Sequence, residues 1–506
     1  MTLSEQGSPM EADGPEGRPP AGSRSLAGRM SLDVLAAMGR HAAVAIAGLL
    51  TIPLISRRLG ADGLGAWALV GTSSFLLGMS DLGLTTVVHR AAAVRAEPEL
   101  GRRAVGLALL AIVVVGPVLA ILAYPLLLDL PGASPALLRD MAHAMLIAFP
   151  AGLVGAFGGP FRGFALVRGA IGGLARARMM ASFAQVLVTA LGLWMMPSLM
   201  APALGLLASS LVETGMCRRL ARSIDPEIPL GPRRWSSRAE LRDALRDGAA
   251  TLALNLVLAA GTRADILILA SAGSLPIVAG YSVASRAVEQ SFTLAKQTST
   301  AMVPRLGDAE ARGQAVRFGT GLLGALVTAG LTALAVNGQP LLVLWAGPAA
   351  EGSVTLTALQ LLGLASALAS TYEIAASALT LGGRTAWEGA IPIGTGCIVN
   401  VAISIAGVSH FGVWAVAGGT VAGNVISCAM TWRGARRLLA WPWSAVLVTY
   451  LPSLLAGAAS LGAGLALRAV LPPSAGASFA ACVIATLAGC GAAALLVLRA
   501  RRGGSP

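Results

Sequence analysis

Residues 104–128 read AVGLALLAIVVVGPVLAILAYPLLL. The run carries no charged side chain, and Arg102 and Arg103 stand directly before it. As an α-helix rising about 1.5 Å per residue, it is long enough to cross the ~30 Å hydrocarbon core of a bilayer. A helix apolar on every face over this length belongs in lipid or in a large protein core. Working outward, comparable runs recur on both sides. They place spans at about 32–56, 64–89, 104–128, 136–160, 169–195, 197–217, 248–272, 276–303, 315–336, 355–382, 386–409, 412–431, 444–470 and 475–498. The sequence therefore predicts an all-α polytopic membrane protein of about fourteen transmembrane helices.

Composition agrees. Of 506 residues, 55% are hydrophobic and 12% charged, against about 25% charged in soluble domains. Charge this sparse cannot coat a soluble protein of such size. The 62 glycines and 27 prolines suit membrane helices, where small residues permit close packing and neighbours satisfy freed carbonyls. A net charge of +13 would suit nucleic acid, but the arginines sit in short loops between apolar runs, which argues against that partner. Lys296 is the only lysine. Five cysteines, Cys217, Cys397, Cys428, Cys482 and Cys490, show neither pairing nor metal spacing and read as small apolar residues.

Loop arginines set the expected topology. Loops after even-numbered spans are rich: Arg90, Arg95, Arg102 and Arg103 after the second, Arg162 and Arg168 around the end of the fourth, Arg305, Arg312 and Arg317 after the eighth. Loops after odd-numbered spans are poor, with Arg57, Arg58, Arg139 and Arg468 as exceptions. Both termini are then cytoplasmic and the protein multi-pass in a bacterial inner membrane. Residues 1–30, polar and without an apolar leader core, read as a disordered cytoplasmic tail. A basic linker at 221–247 divides a six-helix bundle at 31–220 from another at 248–440, and 441–506 adds a helix pair and a tail. A weak internal repeat supports the division: Gly65-Ala66-Trp67-Ala68-Leu69 can be laid on Ala279-Gly280-Tyr281-Ser282-Val283, each opening an even-numbered span. Such halves commonly bind substrate between them.

The segment Thr51-Ile52-Pro53-Leu54-Ile55-Ser56-Arg57-Arg58-Leu59-Gly60, then Gly63-Leu64-Gly65-Ala66-Trp67 and Asp81-Leu82-Gly83-Leu84, resembles the opening of polysaccharide flippases of the Wzx type. The second half offers the matching Ala279-Gly280-Tyr281-Ser282 and Met302-Val303-Pro304-Arg305-Leu306. The likeness spans about 30–500, with its specific part in spans one, two, seven and eight. The wider superfamily of multidrug, oligosaccharidyl-lipid and polysaccharide exporters also holds drug antiporters and lipid II flippases. The resemblance implies two six-helix bundles in a V around a central cavity, and no enzyme activity. It also implies a substrate of sugars on an isoprenoid diphosphate, moved to the outer leaflet. Membrane lipids, a coupling proton or sodium ion and polysaccharide assembly proteins are the other implied partners; no cofactor is.

Ionisable groups deep in spans are costly and mark candidate sites. On span eight, Arg286, Glu289, Thr293, Lys296 and Thr300 form one polar stripe at helical spacing. The stripe either lines the cavity and attracts diphosphate or acidic sugar, or Arg286 and Glu289 satisfy each other while Lys296 snorkels to the cytoplasm. On span seven, Arg263 and Asp265 are two apart and cannot face each other. They form an outer-mouth site or an interfacial headgroup pair. Arg40 on span one belongs to the cavity floor or anchors at the interface. Asp81 on span two pairs with an arginine or takes a coupling proton. Glu213 and Glu373 are alternative coupling carboxylates, and Arg57 and Arg58 point to an outer gate. Together, Arg286, Lys296, Glu289, Arg263, Asp265, Arg40 and Asp81 are the expected cavity charges.

Rival functions fit less well. A drug–cation antiporter of this fold wants acidic and aromatic cavity residues, whereas aromatics are 5% here and span eight carries Arg286 and Lys296 against Glu289. A membrane glycan polymerase or ligase usually has a large outer loop, and by these span limits the longest, 337–354, has only about eighteen residues. No Gly-x-x-x-x-Gly-Lys-Ser/Thr loop supports an ATP-driven pump.

Overall fold

The computed structural model describes residues 26–85, 98–126, 133–229, 263–307, 309–383 and 387–502, with Val88, Gly231 and Arg242. The side chains of 26–47 and of 291–301 lie outside the description. The helices are α1 (Leu26–Leu77), α2 (Pro98–Leu126), α3 (Pro135–Val167), α4 (Ile171–Met195), α5 (Met200–Ile224), α6 (263–272) and α7 (Leu275–Gly307). They continue as α8 (Ala309–Asn337), the short α9 (Gln339–Ala346) with a 3-10 turn (Gly347–Ala350), α10 (Ser353–Gly382), α11 (Trp387–Phe411), α12 (Val413–Leu438), α13 (Trp443–Val470) and α14 (Ala475–Arg502). Every described regular element is helical.

Among the described residues, ten helices are long and apolar enough to cross a membrane: α2–α5, α8 and α10–α14. They match the third to sixth and ninth to fourteenth predicted spans. The first two predicted spans are successive parts of α1, and the eighth is α7, whose charged stripe lowers its hydropathy. Of the seventh, only 263–272 is described. The chain is an all-α, multi-pass membrane protein.

Two breaks in regularity matter. Inside α1, Gly60 takes φ 73° and ψ −172°, a conformation in which a Cβ would be strained, so the chain turns there between the first two spans. The second break was not foreseen. The span expected to run unbroken over 64–89 stops at Leu77, passes through turns over 78–83 and becomes helical again at Leu84. Leu82 and Gly83 both have positive φ, of 53° and 73°.

In the first half α3 and α4 pack on α5, and α1 lies against α3 and α4. In the second, α10 packs on α7, α8 and α12, α11 pairs with α12, and α13 and α14 lie on α8. The α11–α12 pair touches backbone to backbone: a Cβ on Gly423 would sit 2.4 Å from the Gly396 carbonyl oxygen. Close approach of this kind drives helix association in lipid, where apolar burial alone contributes little. α13 and α14 turn Leu447, Leu454, Leu465, Phe479 and Leu487 outward, as a lipid-facing surface does. Among the described residues, the halves meet chiefly where α1 contacts α7, α9 and the 3-10 turn.

Candidate functional site

The charges of spans seven and eight gather in two places on opposite sides of α6. Arg263 and Asp265 are separated by about 200° around the helix, so they diverge as expected. Arg263 Nη2 donates to Glu289 Oε1 at 3.1 Å, and Arg286 Nη1 donates to Glu289 Oε2 at 2.8 Å. Among the described residues, one carboxylate thus serves two guanidinium groups, with one positive charge in excess. Arg263 also lies over the Phe75 ring of α1, 5.0 Å from its centroid. That cation–π contact reaches across from the other half, so the cluster sits at the junction between halves. The Arg263 side chain is 15% exposed and that of Arg286 48%, which makes Arg286 the open end. The pairing of Arg286 with Glu289 is the self-satisfied arrangement considered above, but the second arginine keeps the cluster cationic.

Asp265 is neither at an open mouth nor paired with a headgroup-binding arginine: it is 4% exposed. Its carboxylate accepts from Tyr281 Oη of α7 at 2.5 Å and from Asn400 Nδ2 of α11 at 3.3 Å. The Thr420 hydroxyl of α12 lies 3.0 Å from it. Thr420 is also within reach of Asn400 Oδ1 and of the Val416 carbonyl, and its single proton can serve only one acceptor at a time. Ser404 Oγ donates to Asn400 Oδ1 at 3.2 Å. The network joins α6, α7, α11 and α12 around a carboxylate that no described cation pairs with. Several oxygens converge there, the donor chemistry that holds a proton or a small hard cation. Sequence reading missed this because Asn400, Ser404 and Thr420 are ordinary in isolation. The i, i+4 spacing of Asn400 and Ser404 on α11, and an acid about two turns from the outer end of span seven, were the available signal.

Asp81 is engaged by backbone amides. Its Oδ1 accepts from Gly83 N and its Oδ2 from Thr85 N, each at 3.1 Å. It caps the helix that restarts after the break, as short acidic side chains do at N-termini. No arginine partner is described for it. Arg40 and Lys296 lie on α1 and α7, but their side chains are outside the described residues. Glu213 is shared by Arg162 and Arg178.

The side opposite the arginine-rich loops, here called outer, carries a cross-half latch. Ser56 Oγ donates to the Ala346 carbonyl, Arg57 Nη2 to the Leu344 carbonyl at 3.0 Å, and Trp345 Nε1 back to the Leu49 carbonyl at 2.6 Å. At the same seam, a Cβ on Gly65 would lie 2.2 Å from the Leu275 carbonyl oxygen. Three outer arginines that break the loop pattern each bind carbonyls: Arg57 as above, Arg468 to Val336 O at 3.2 Å, and Arg139 to Pro135 O at 3.4 Å. Arg57 and Arg468 meet the last turns of α9 and α8, where free carbonyls and the helix dipole favour a cation.

No protein-family model matches the chain, and no curated protein sequence matches it. Solved structures do. A lipid II flippase, MurJ, in an inward closed conformation aligns over 93% of this chain and 99% of its own, with TM-score 0.73 and 14% identity. The eukaryotic MATE transporter AtDTX14 aligns over 81% and 98%, with TM-score 0.61 and 14% identity. A transporter of the multidrug/oligosaccharidyl-lipid/polysaccharide superfamily from Pyrococcus furiosus, described as having a binding pocket of reversed polarity, aligns over 83% and 95%, with TM-score 0.56 and 14% identity. At this identity the likeness is one of fold. It bears out the expected fold; it does not single out the Wzx type.

Proposed function

We propose that this protein flips a lipid-linked oligosaccharide, carried on an isoprenoid diphosphate, across the bacterial inner membrane for polysaccharide or lipopolysaccharide export. Alternating access between the bundles at 31–220 and 248–440 moves the headgroup, and both termini lie in the cytoplasm. The observation that carries this reading is the Arg263–Glu289–Arg286 cluster. A surplus cation at the junction of two halves suits a diphosphate, whose charge is expensive to bring into a membrane unless matched. A drug–cation antiporter would place unpaired carboxylates there instead. An inside-negative potential then helps the anion outward by about 2.3 kcal/mol per charge per 100 mV. Asp265, whose described partners are all neutral donors, is the group for a coupling proton or sodium ion, in preference to Glu213, which two arginines hold.

The test is Arg286→Ala. The cluster then holds one arginine and one carboxylate, neutral overall, and export is expected to fall at least tenfold while the protein still inserts. A lipid-linked glycan should accumulate on the cytoplasmic leaflet, as in a gene deletion. Normal surface polysaccharide in this variant overturns the reading. Comparing Lys296→Gln with Lys296→Arg separates charge from geometry at that position.

A further inference from the structure

A second cluster repeats the stoichiometry of the first in the other half. Glu213 on α5 accepts from Arg162 Nη1 of α3 at 2.8 Å and from Arg178 Nη1 of α4. The carboxylate side chain is 13% exposed, whereas Arg162 and Arg178 are 45% and 38% exposed. The acid is therefore sunk between helices and the two guanidinium groups stand outward from it. Each gives one described hydrogen bond to Glu213, out of five N–H donors. Two planar forks held side by side by one acid are preorganised for a phosphate, which takes guanidinium groups in bidentate fashion.

Position adds to this. Arg162 lies about 8 Å from the end of α3 at Val167, and Arg178 about 10 Å from the start of α4 at Ile171. Both ends are on the arginine-rich side, where Arg176, Arg218, Arg219 and Arg222 are exposed. The depth is that of lipid phosphates and the turn of chain below them. The central cluster lies deeper: Glu289 is about 21 Å along α7 from its outer end at Leu275.

We propose that Arg162 and Arg178, spaced by Glu213, form a second anion site for a phosphate-bearing lipid headgroup in the arginine-rich leaflet. It receives the headgroup before the central cluster does. Phosphate binding stands on this geometry alone; the order of events rests on the transport reading above. The ligand chemistry has two sources, an isoprenoid diphosphate or an anionic phospholipid.

The experiment uses the full chain in phosphatidylcholine nanodiscs, with the central cluster silenced by Arg263→Gln and Arg286→Gln, and inorganic pyrophosphate titrated calorimetrically. In that background Arg162→Gln or Arg178→Gln is expected to weaken binding about tenfold, the loss of one charged contact. Glu213→Gln is expected to strengthen it severalfold, because glutamine can still space the two arginines while the negative charge that repels the anion is gone. A mere staple between helices predicts the reverse for Glu213→Gln, with a lower melting temperature and no gain in affinity. That outcome, or unchanged affinity in the arginine variants, overturns the proposal. The neutral triple variant Arg162→Gln/Arg178→Gln/Glu213→Gln leaves no buried unpaired charge, and it should keep its melting temperature while losing pyrophosphate. Adding phosphatidylglycerol to the disc competes with pyrophosphate if phospholipid is the occupant; adding an isoprenoid diphosphate competes if the cargo is. If these variants behave as expected while Arg286→Ala exports normally, the site stands and the transport reading falls. The opposite pair of results removes the site alone.

Discussion

Replacing Gly65 by alanine probes whether the outer seam is a gate. The added methyl carbon would lie 2.2 Å from the Leu275 carbonyl oxygen and 2.9 Å from its carbon. Ordinary contact needs about 3.5 Å, so α1 and α7 must part by roughly 1 Å or bear the overlap. Bearing it costs about 1–3 kcal/mol. Parting stretches the Arg57–Leu344 and Trp345–Leu49 bonds, now 3.0 and 2.6 Å, past hydrogen-bonding length, at about 1 kcal/mol each. Either route weakens the closed arrangement by about 2 kcal/mol, a factor of roughly 30 in its ratio to the open one. The readout is a cysteine placed at Ala346, which is fully buried in the closed seam. Its labelling by a membrane-impermeant maleimide is expected to rise by an order of magnitude in the Gly65→Ala background, against a control lacking the reporter. Unchanged labelling together with an unchanged melting temperature would refute the reasoning, for the backbone would then be relaxing locally without opening anything.

Other expectations are smaller in scope. Tyr281→Phe removes the shortest donor to Asp265. It should shift the pH or sodium dependence of transport while leaving the substrate requirement intact; a proportional loss under all conditions would mean a packing role only. At the inner side, burial pushes the Asp225 carboxyl up, but hydrogen bonds from Arg102 and the Glu227 amide outweigh it and hold the group below the ordinary carboxylate range. A depressed folded value gives stability that is complete above the unfolded value of about 3.9 and lost as pH falls through the folded one. The melting temperature of Asp225→Asn should therefore lie below that of the parent at pH 7, with the difference closing toward pH 3. A constant difference across that window would rule out the ionic contribution.

The span pattern was legible because membrane crossing depends on length and apolarity, which a sequence displays directly. Ala104–Leu128 needed no partner to be recognised. Short elements stabilised only by contact were not legible. The helix Gln339–Ala346 is too brief to show periodicity, and its placement depends on Leu49, Ser56 and Arg57, nearly three hundred residues away. Among the charges, the divergence of Arg263 and Asp265 followed from helical spacing. What each one met did not, because partners on α7, α11 and α12 are brought up by tertiary packing. The helix break beside Asp81 was not legible either, and it supplies two backbone amides to that carboxylate.

The α9 side of the latch accepts through main-chain oxygens, those of Leu344 and Ala346. Side-chain identity at the exposed Leu344 is therefore free to drift, provided the helix ends where it does, whereas the buried Ala346 must stay small. Register is what is fixed. Inserting one residue into 339–346 would turn the terminal carbonyls by about 100° and carry them off their donors without changing any of the eight amino acids. A deletion–insertion scan of this segment should injure the protein more than any substitution within it except at Trp345, whose indole donates the return bond, and at the buried Ala346.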